Sequence, residues 1–330
     1  MLAARRALSG VLFSGVLLTG ICLGGCARNT PPPPSGPTGA VAAATLPAHE
    51  FDHVIVVVLE NENASTVDGV PEMAALARQG TLLRNYYAVA HPSYPNYLAL
   101  ISGKTFVGSD PRAQHDPVAY RALDFGDAQL LINAPTLVDR MEARGVSWNA
   151  FAEDYPETSS APAQCDWIRS AGLYSRKHVP FLSFTGFHEH PAWCAHVRNL
   201  RWFRKDSLAA YTFITPNMVH DGHDAPLDSA VKWTSAFLRP VLADSALMRT
   251  TLVVITFDES ANPLSEMLTG SQPNRIYTAL IGGMVGTGAV SNTPYSHYSL
   301  LRTIELNFGL APSLVPSGVD PISDVWKPLH

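Results

Sequence analysis

The chain has 330 residues and a net charge of −5, long enough for one large domain with a proper core. It has no basic cluster beyond its first residues, so a nucleic-acid partner is not expected.

The N-terminal segment reads as targeting rather than fold. Arg5 and Arg6 precede an apolar run from Val11 to Leu23, which closes on Leu23-Gly24-Gly25-Cys26. A charged start, a short apolar run and small residues describe a secretory signal, not a membrane span. The cysteine directly after the small residues resembles a bacterial lipobox. That resemblance implies lipidation of Cys26, removal of residues 1–25, and an exported lipoprotein anchored to a membrane and facing the periplasm or the cell exterior. Residues 26–48 include Pro31 to Pro34 and Ser35-Gly36-Pro37, have little to bury, and read as a semi-extended tether. Residues 49–330 form the domain. Cys22 leaves with the signal and Cys26 is the lipid site, so Cys165 and Cys194 remain. In an exported chain that pair predicts a disulfide rather than a metal site.

Phe51 to Leu59 is a β-branched run, the mark of a strand buried on both faces of a parallel sheet. It runs into Glu60-Asn61, at the strand edge where open α/β sheets place ligands. Val70, Met73, Ala74, Leu76 and Ala77 share one helix face, and Gly80 is expected to stop that helix. In His91-Pro92-Ser93-Tyr94-Pro95-Asn96-Tyr97 the prolines pin a turn, beyond which Tyr97, Leu98 and Ile101 share a helix face. Ser93 is expected on an exposed turn at the helix entrance, where free N–H groups favour an anion. The plain alternative is a proline-rich surface turn.

Thr136 to Arg144 reads as an amphipathic helix closed by Gly145, and Val146 to Phe151 as a strand leading to Glu153-Asp154. Residues 156–206 are irregular, aromatic and histidine-rich, and are expected to form a loop-rich cap over the site. Tyr211 to Thr215 is a strand that delivers Asp221-Gly222-His223-Asp224. Ala230 to Leu242 is helical. Thr250 to Phe257 is a central strand that ends at Asp258-Glu259, Tyr277 to Ile281 is one more strand, and Tyr295 to Tyr298 opens a helix over Ser299 to Phe308. Strands alternating with helices give an α/β fold, a mostly parallel central sheet with helices on both faces.

A buried strand running into two adjacent acids must pair those charges or give them a cation. Asp258 and Glu259 are therefore candidate ligands, with Glu60 as partner, for a hard or borderline divalent ion; added imidazole shifts the preference toward zinc or manganese. Each polar residue also has a plainer reading. Glu60 and Asn61 could cap the following helix, His223 could be solvated, and His297 could be bonded to backbone at its helix start. His91 could act as a base or only brace the turn. His178 could be a surface charge, or could contact phosphate or protonate a leaving group.

Taken together, Val58-Leu59-Glu60-Asn61, His91 to Tyr97, Ala152-Glu153-Asp154-Tyr155-Pro156, Arg176-Lys177-His178-Val179-Pro180-Phe181, Asp221 to Asp224, Thr256-Phe257-Asp258-Glu259, Ser296-His297-Tyr298-Ser299 and Pro321 to Trp326 resemble the phosphoesterase family. That family groups secreted acid phosphatases with bacterial phospholipases C in the alkaline-phosphatase-like superfamily. The resemblance runs from about residue 51 to residue 327. It implies that Ser93 is a nucleophile forming a phosphoserine, and that Glu60, Asn61, Asp258 and Glu259 hold a metal beside it. Asp221, His223 and His297 fall in the order that completes a second metal site in the superfamily. One or two divalent ions (Zn, Ca, Mg or Mn) are thus expected. Glu62 stands where an arginine often follows Glu-Asn, and Ser260 where a further acid often follows Asp-Glu.

The implied activity is metal-dependent phosphomonoester hydrolysis on a small molecule or a lipid head group, phosphoinositides included. The alternative is a phospholipase C using the same serine and metal, which a wide apolar entrance built from Trp167, Phe181, Phe184, Phe187 and Trp193 would favour. A third reading is a non-catalytic surface lipoprotein on an old phosphatase fold. A serine–histidine esterase is disfavoured, because no Gly-x-Ser-x-Gly elbow surrounds Ser93.

Overall fold

The computed structural model describes residues 49–106, 131–157, 165, 168–261 and 274–327. The expected signal, Cys26, the tether and Trp167 lie outside the described residues.

In chain order the strands are β1 (His53–Leu59), β2 (Thr81–Leu83), β3 (Tyr86–Tyr87), β4 (Trp148–Ala152), β5 (Val197–Asn199), β6 (Tyr211–Thr215), β7 (Thr251–Phe257), β8 (Thr278–Ile281), β9 (Ala289–Ser291) and β10 (Tyr295–Ser296). The helices are α1 (Ala64–Asp68), α2 (Pro71–Ala77), α3 (Ser93–Ser102), α4 (Leu137–Arg144), α5 (Thr185–Glu189), α6 (Leu227–Leu242) and α7 (His297–Asn307). Eight strands make one sheet in the order β5-β4-β6-β1-β7-β8-β2-β9, while β3 and β10 pair separately. Every pairing in the large sheet is parallel except those of β8, which runs against both β7 and β2.

β6 and β7 are buried at every position and β1 at all but its first. Strands buried on both faces need helices on both, and the β-branched runs supply the apolar surface for it. The helices form two packed groups, α2 with α1 and α6, and α3 with α4 and α7. α3 ends at Gly103, whose φ of 68° and close approach to the Leu314 carbonyl leave no room for a side chain. Gly80 serves a different purpose from the expected helix stop. α2 has already ended, and a Cβ at Gly80 would lie 1.9 Å from the Leu280 carbonyl of β8.

The described part of the segment 156–206 is loop-rich, as expected, and its turn at 176–178 reaches Glu60 at the end of β1. Its described residues form short 3₁₀ turns and α5, and β5 within it pairs with β4 as an edge of the main sheet. Phe181, Phe184 and Phe187 are at most 1% exposed, and Phe181 and Phe187 pack around Trp148. These rings build core rather than an entrance, each contributing on the order of 2 kcal/mol by burial. Cys165 and Cys194 are disulfide-bonded, as the cysteine count predicts.

Candidate active site

The polar residues singled out in the sequence meet where β1, β6 and β7 end. β1 and β7 run in parallel with Leu59 opposite Phe257, so Glu60 and Asp258 leave the sheet side by side. The Asn61 N–H donates to Asp258 Oδ1 (3.0 Å), and Asn61 Nδ2 donates to Glu259 Oε1 (3.0 Å). Asn61 has a φ of 22°, an uncommon backbone value of the kind found at functional sites.

Ser93 is the first residue of α3 and is 2% exposed, so it is not the exposed turn residue expected. Asn96, one turn on, bends the entering chain into place. Its Oδ1 accepts from the N–H groups of Val89 (2.9 Å) and Ala90 (3.0 Å), and its Nδ2 donates to the Ala90 carbonyl (2.8 Å). Ser93 Oγ then lies 3.0 Å from Asn61 Oδ1, 3.0 Å from Glu259 Oε1 and 3.2 Å from Glu60 Oε2. One hydroxyl proton faces three acceptors drawn from two strand ends. His91 Nδ1 contacts the other oxygen of Glu259.

Glu60 is also flanked by cations from the segment 176–178. Lys177 Nζ stands 3.2 Å from Glu60 Oε2, and His178 Nε2 stands 3.1 Å from Glu60 Oε1, close in charge but out of line for a hydrogen bond. Burial pushes the Glu60 carboxyl up, but Lys177 and His178 more than offset that and hold it below the usual carboxylate range. Asp258 goes the other way, raised by burial and by the neighbouring charges of Glu60 and Glu259. Burial and Glu60 push Asp221 up to about 6. Tyr97 stacks on His178 at 5.5 Å and is fully buried, with its hydroxyl in the field of Glu60, Asp258 and Asp221.

Not every expected residue joins this cluster. His223 is half exposed and its Nδ1 contacts Asp224; only its backbone N–H reaches Asp221 Oδ1 (2.9 Å). A solvated loop position, with no strand to hold the ring inward, accounts for this. His297 is fully buried, but Nε2 donates to the Asp258 carbonyl (2.7 Å) and Nδ1 lies 3.4 Å from the Tyr86 hydroxyl. Burial lowers it to about 4, so it is neutral near pH 7 and braces the Asp258 backbone. Both His297 ring nitrogens face other partners, whereas His223 engages Asp224 through Nδ1.

Among the described residues, no three His, Cys, Asp or Glu side chains are gathered in ligating geometry. The chemistry of the donors nevertheless fits a divalent ion. Asp258 Oδ2 is buried without a partner, and Glu60, Glu259, Asn61 and Ser93 present further oxygens beside it. An all-oxygen set suits a hard ion such as Ca, Mg or Mn better than Zn.

Lys177, Tyr97 and Asn96 are site residues that the sequence reading passed over. Two had a usable signal. Tyr97 is four residues from Ser93 and so on its helix face, and an acid at a buried strand end calls for a nearby cation, which Lys177 supplies. Asn96 had none, since its role depends on loop geometry.

Residues 65–311 match the profile of the Phosphoesterase family. A probable acid phosphatase from Kluyveromyces lactis is 32% identical over 268 residues, covering 79% of this chain and 59% of that protein, so the chain spans about three fifths of that relative. A phosphatidylinositol-3-phosphatase from Mycobacterium tuberculosis is 31% identical over 295 residues, covering 88% of this chain and 87% of that protein. Among solved structures, a protein of the alkaline phosphatase superfamily from Vibrio parahaemolyticus aligns with a TM-score of 0.50 at 10% identity, over 83% of this chain and 71% of that one. The last is a likeness of fold. Among the described residues no helix is long and apolar enough to cross a membrane.

Proposed function

This chain belongs to the phosphoesterase family, and from that premise we propose that it is a metal-dependent phosphomonoesterase of the acid phosphatase type, acting through a phosphoserine on Ser93. The observation that carries the reading is the Ser93 hydroxyl, buried at a helix start with Glu60, Asn61 and Glu259 oxygens 3.0–3.2 Å away. A plain surface turn has no use for that arrangement.

Glu60, Asn61, Asp258 and Glu259 would hold the ion, with Asp221 beside them. When bound, a divalent ion there supplies positive charge that favours the serine alkoxide and offsets charge on the phosphoryl oxygens. Ser93 is the first residue of α3, so the helix's free N–H groups and positive dipole end lie beside it. Ser93 Oγ attacks phosphorus and its proton passes to Glu259, whose far oxygen is held by His91. The bond from phosphorus to the leaving oxygen breaks, and His178 delivers a proton to that oxygen. Water then attacks phosphorus, the Ser93–phosphorus bond breaks, inorganic phosphate leaves, and the serine regains its proton.

Phosphate monoesters come first as substrates, with phosphoinositide head groups supported by the mycobacterial relative's name. Phe181, Phe184 and Phe187, three of the five rings of the entrance that would favour a phospholipase C, are buried in the core, which supports the monoesterase reading. Export and a lipid anchor on Cys26 rest on the N-terminal sequence alone. The test is a panel of phosphate esters with metal-replete protein, scored for inorganic phosphate against diacylglycerol. Phosphate release lost in Ser93→Ala supports the reading, whereas diacylglycerol as the main product, or full activity in that variant, overturns it.

A further inference from the structure

We propose that the β5 edge of the sheet carries a second binding site, away from Ser93, which takes one free inorganic oxyanion, phosphate or sulfate. A cavity of about 130 Å³ there is bordered by Asn149, Arg198, Trp202, Arg204, Ser207 and Thr212. Since a water molecule's share of volume is about 30 Å³, the space suits one tetrahedral ion better than a bulky ester.

Strand register builds the cavity. Asn149 of β4 lies opposite Thr212 of β6, and Phe151 of β4 lies opposite Arg198 of β5. Side chains alternate along a strand and paired residues share a face, so all four stand on one side of the sheet. The Phe203 ring meets Phe151 edge-on at 5.8 Å and holds the turns after β5 against that side. Asn149 and Thr212 are each the second residue of their strand, whereas the Ser93 cluster lies beyond the ends of β1 and β7. The two sites are therefore separate.

Unanswered donors point to an anion. Among the described residues, the side chains of Asn149, Arg198, Ser207 and Thr212 have no hydrogen-bond or ion-pair partner. Thr212 is 1% exposed, and a hydroxyl buried that deeply costs stability unless something answers it. The Arg198 guanidinium sits over the Trp202 ring, 4.8 Å from its centroid, which fixes the group and leaves its N–H edges unused. Arg204 Nη1 donates to the carbonyls of Arg201 (2.9 Å) and Phe203 (2.8 Å), so that guanidinium is held as well. No carboxylate is among the described residues that border the cavity. The acids of the neighbouring turns are already matched: Glu157 accepts from Arg201 and Trp202 Nε1, and Asp206 and Asp244 pair with Lys205. Two guanidiniums, two hydroxyls and an amide around one space form a donor set for an oxyanion. A tetrahedral ion offers four acceptor oxygens to these donors, where a carboxylate offers two.

The experiment has a crystal arm and a solution arm. Wild-type crystals are soaked in selenate, which copies sulfate and scatters anomalously. Sulfate and acetate binding are measured by calorimetry on wild type, Arg198→Met, Arg198→Lys and Thr212→Val, and phosphate release from a monoester is followed alongside. The expected anomalous peak lies within hydrogen-bond reach of Arg198 and Thr212. Sulfate affinity should fall about tenfold or more in Arg198→Met and by less in Arg198→Lys and Thr212→Val, as loss of a charge-assisted or a neutral contact requires. Acetate should bind more weakly than sulfate, and monoester hydrolysis should stay within about twofold of wild type in all three variants, as expected of substitutions away from the reacting atoms. A cavity without a peak, a peak only beside Ser93, unchanged sulfate affinity in a folded Arg198→Met, or acetate bound as tightly as sulfate overturns the inference. A peak in the crystal without measurable sulfate binding in solution means an adventitious ion only and overturns it too. Thermal melts check folding, and where a variant fails to fold, the selenate position and sulfate affinity of wild type decide. None of these outcomes bears on the phosphatase reading, which stands or falls on Ser93.

Discussion

Ser93 and Glu259 are 166 residues apart in the chain, yet their side-chain oxygens Oγ and Oε1 stand 3.0 Å apart. Two pieces of ordinary architecture close that gap. β1 and β7 are neighbouring parallel strands, so Glu60 and Asp258-Glu259 emerge at one rim, and the loop locked by Asn96 delivers Ser93 to it at the start of α3.

Asp258→Asn is expected to separate folding from metal binding. In the metal-free protein the Asp258 carboxyl is raised by burial and by Glu60 and Glu259, so its charge is a burden there. With chelator present, the variant should melt at or above the wild-type temperature. Added divalent metal should stabilise wild type by about 2.7 kcal/mol at a hundredfold excess over Kd, and the variant by much less. Turnover should fall with that shift. A variant that keeps the metal-induced shift but loses turnover, or the reverse, contradicts the ligand role.

His223→Ala should leave metal content unchanged and kcat/KM within about twofold, because the ring is half exposed and contacts only Asp224. Stability should change by no more than about 0.5 kcal/mol, the usual range for a surface substitution. The backbone N–H that serves Asp221 survives the change. A large loss of bound metal would restore His223 to the ligand set.

The disulfide between Cys165 and Cys194 closes a loop that carries both Lys177 and His178. With 29 residues of separation, its loss should cost roughly 3.5 kcal/mol in the chain-entropy picture. Reductant should lower the melting temperature and the activity of wild type together. A Cys165→Ser/Cys194→Ser variant should start low and show no response to reductant. Equal response in both proteins would place the effect elsewhere.

Asp324 concerns stability rather than chemistry. Its carboxylate accepts from Ser291 Oγ, Thr293 Oγ1 and the Tyr295 hydroxyl at 2.7–3.0 Å. Partial burial raises the group, yet these donors outweigh that and lower it below the usual value of 3.8. A lowered folded-state value means the stabilisation is complete above the unfolded value and disappears as pH falls through the folded one. Asp324→Asn should therefore cost about 1 kcal/mol at pH 7, and the gap in melting temperature should narrow below about pH 4. A gap that stays constant into acid would mean that the amide's shape, not its lost charge, is responsible.

The sequence was most readable where burial forces composition. β1 and β7 could be seen because strands covered on both faces are nearly all β-branched, and their terminal acids were conspicuous for the same reason. β2, β3 and β9 span two or three residues each, too few to show a period, and the reversed direction of β8 leaves no trace in its own four residues. His297 opens a helix in either of its roles, so only the fold could reveal that its ring serves a neighbouring carbonyl. Phe181, Phe184 and Phe187 lie in an irregular segment without periodicity, where a core ring and an entrance ring look alike.

The central claim is that Ser93 takes the phosphoryl group, and rapid acid quenching of turnover tests it most directly. Metal-replete protein mixed with a phosphate monoester and quenched in acid should yield, by peptide mass spectrometry, one phosphoryl group on Ser93. The label should be absent from Ser93→Ala and should form more slowly in His178→Ala, most of all with esters of poor leaving groups. Active wild-type enzyme that hydrolyses the ester with no phosphorylated peptide at any quench time, or with the label on another residue, would contradict the account.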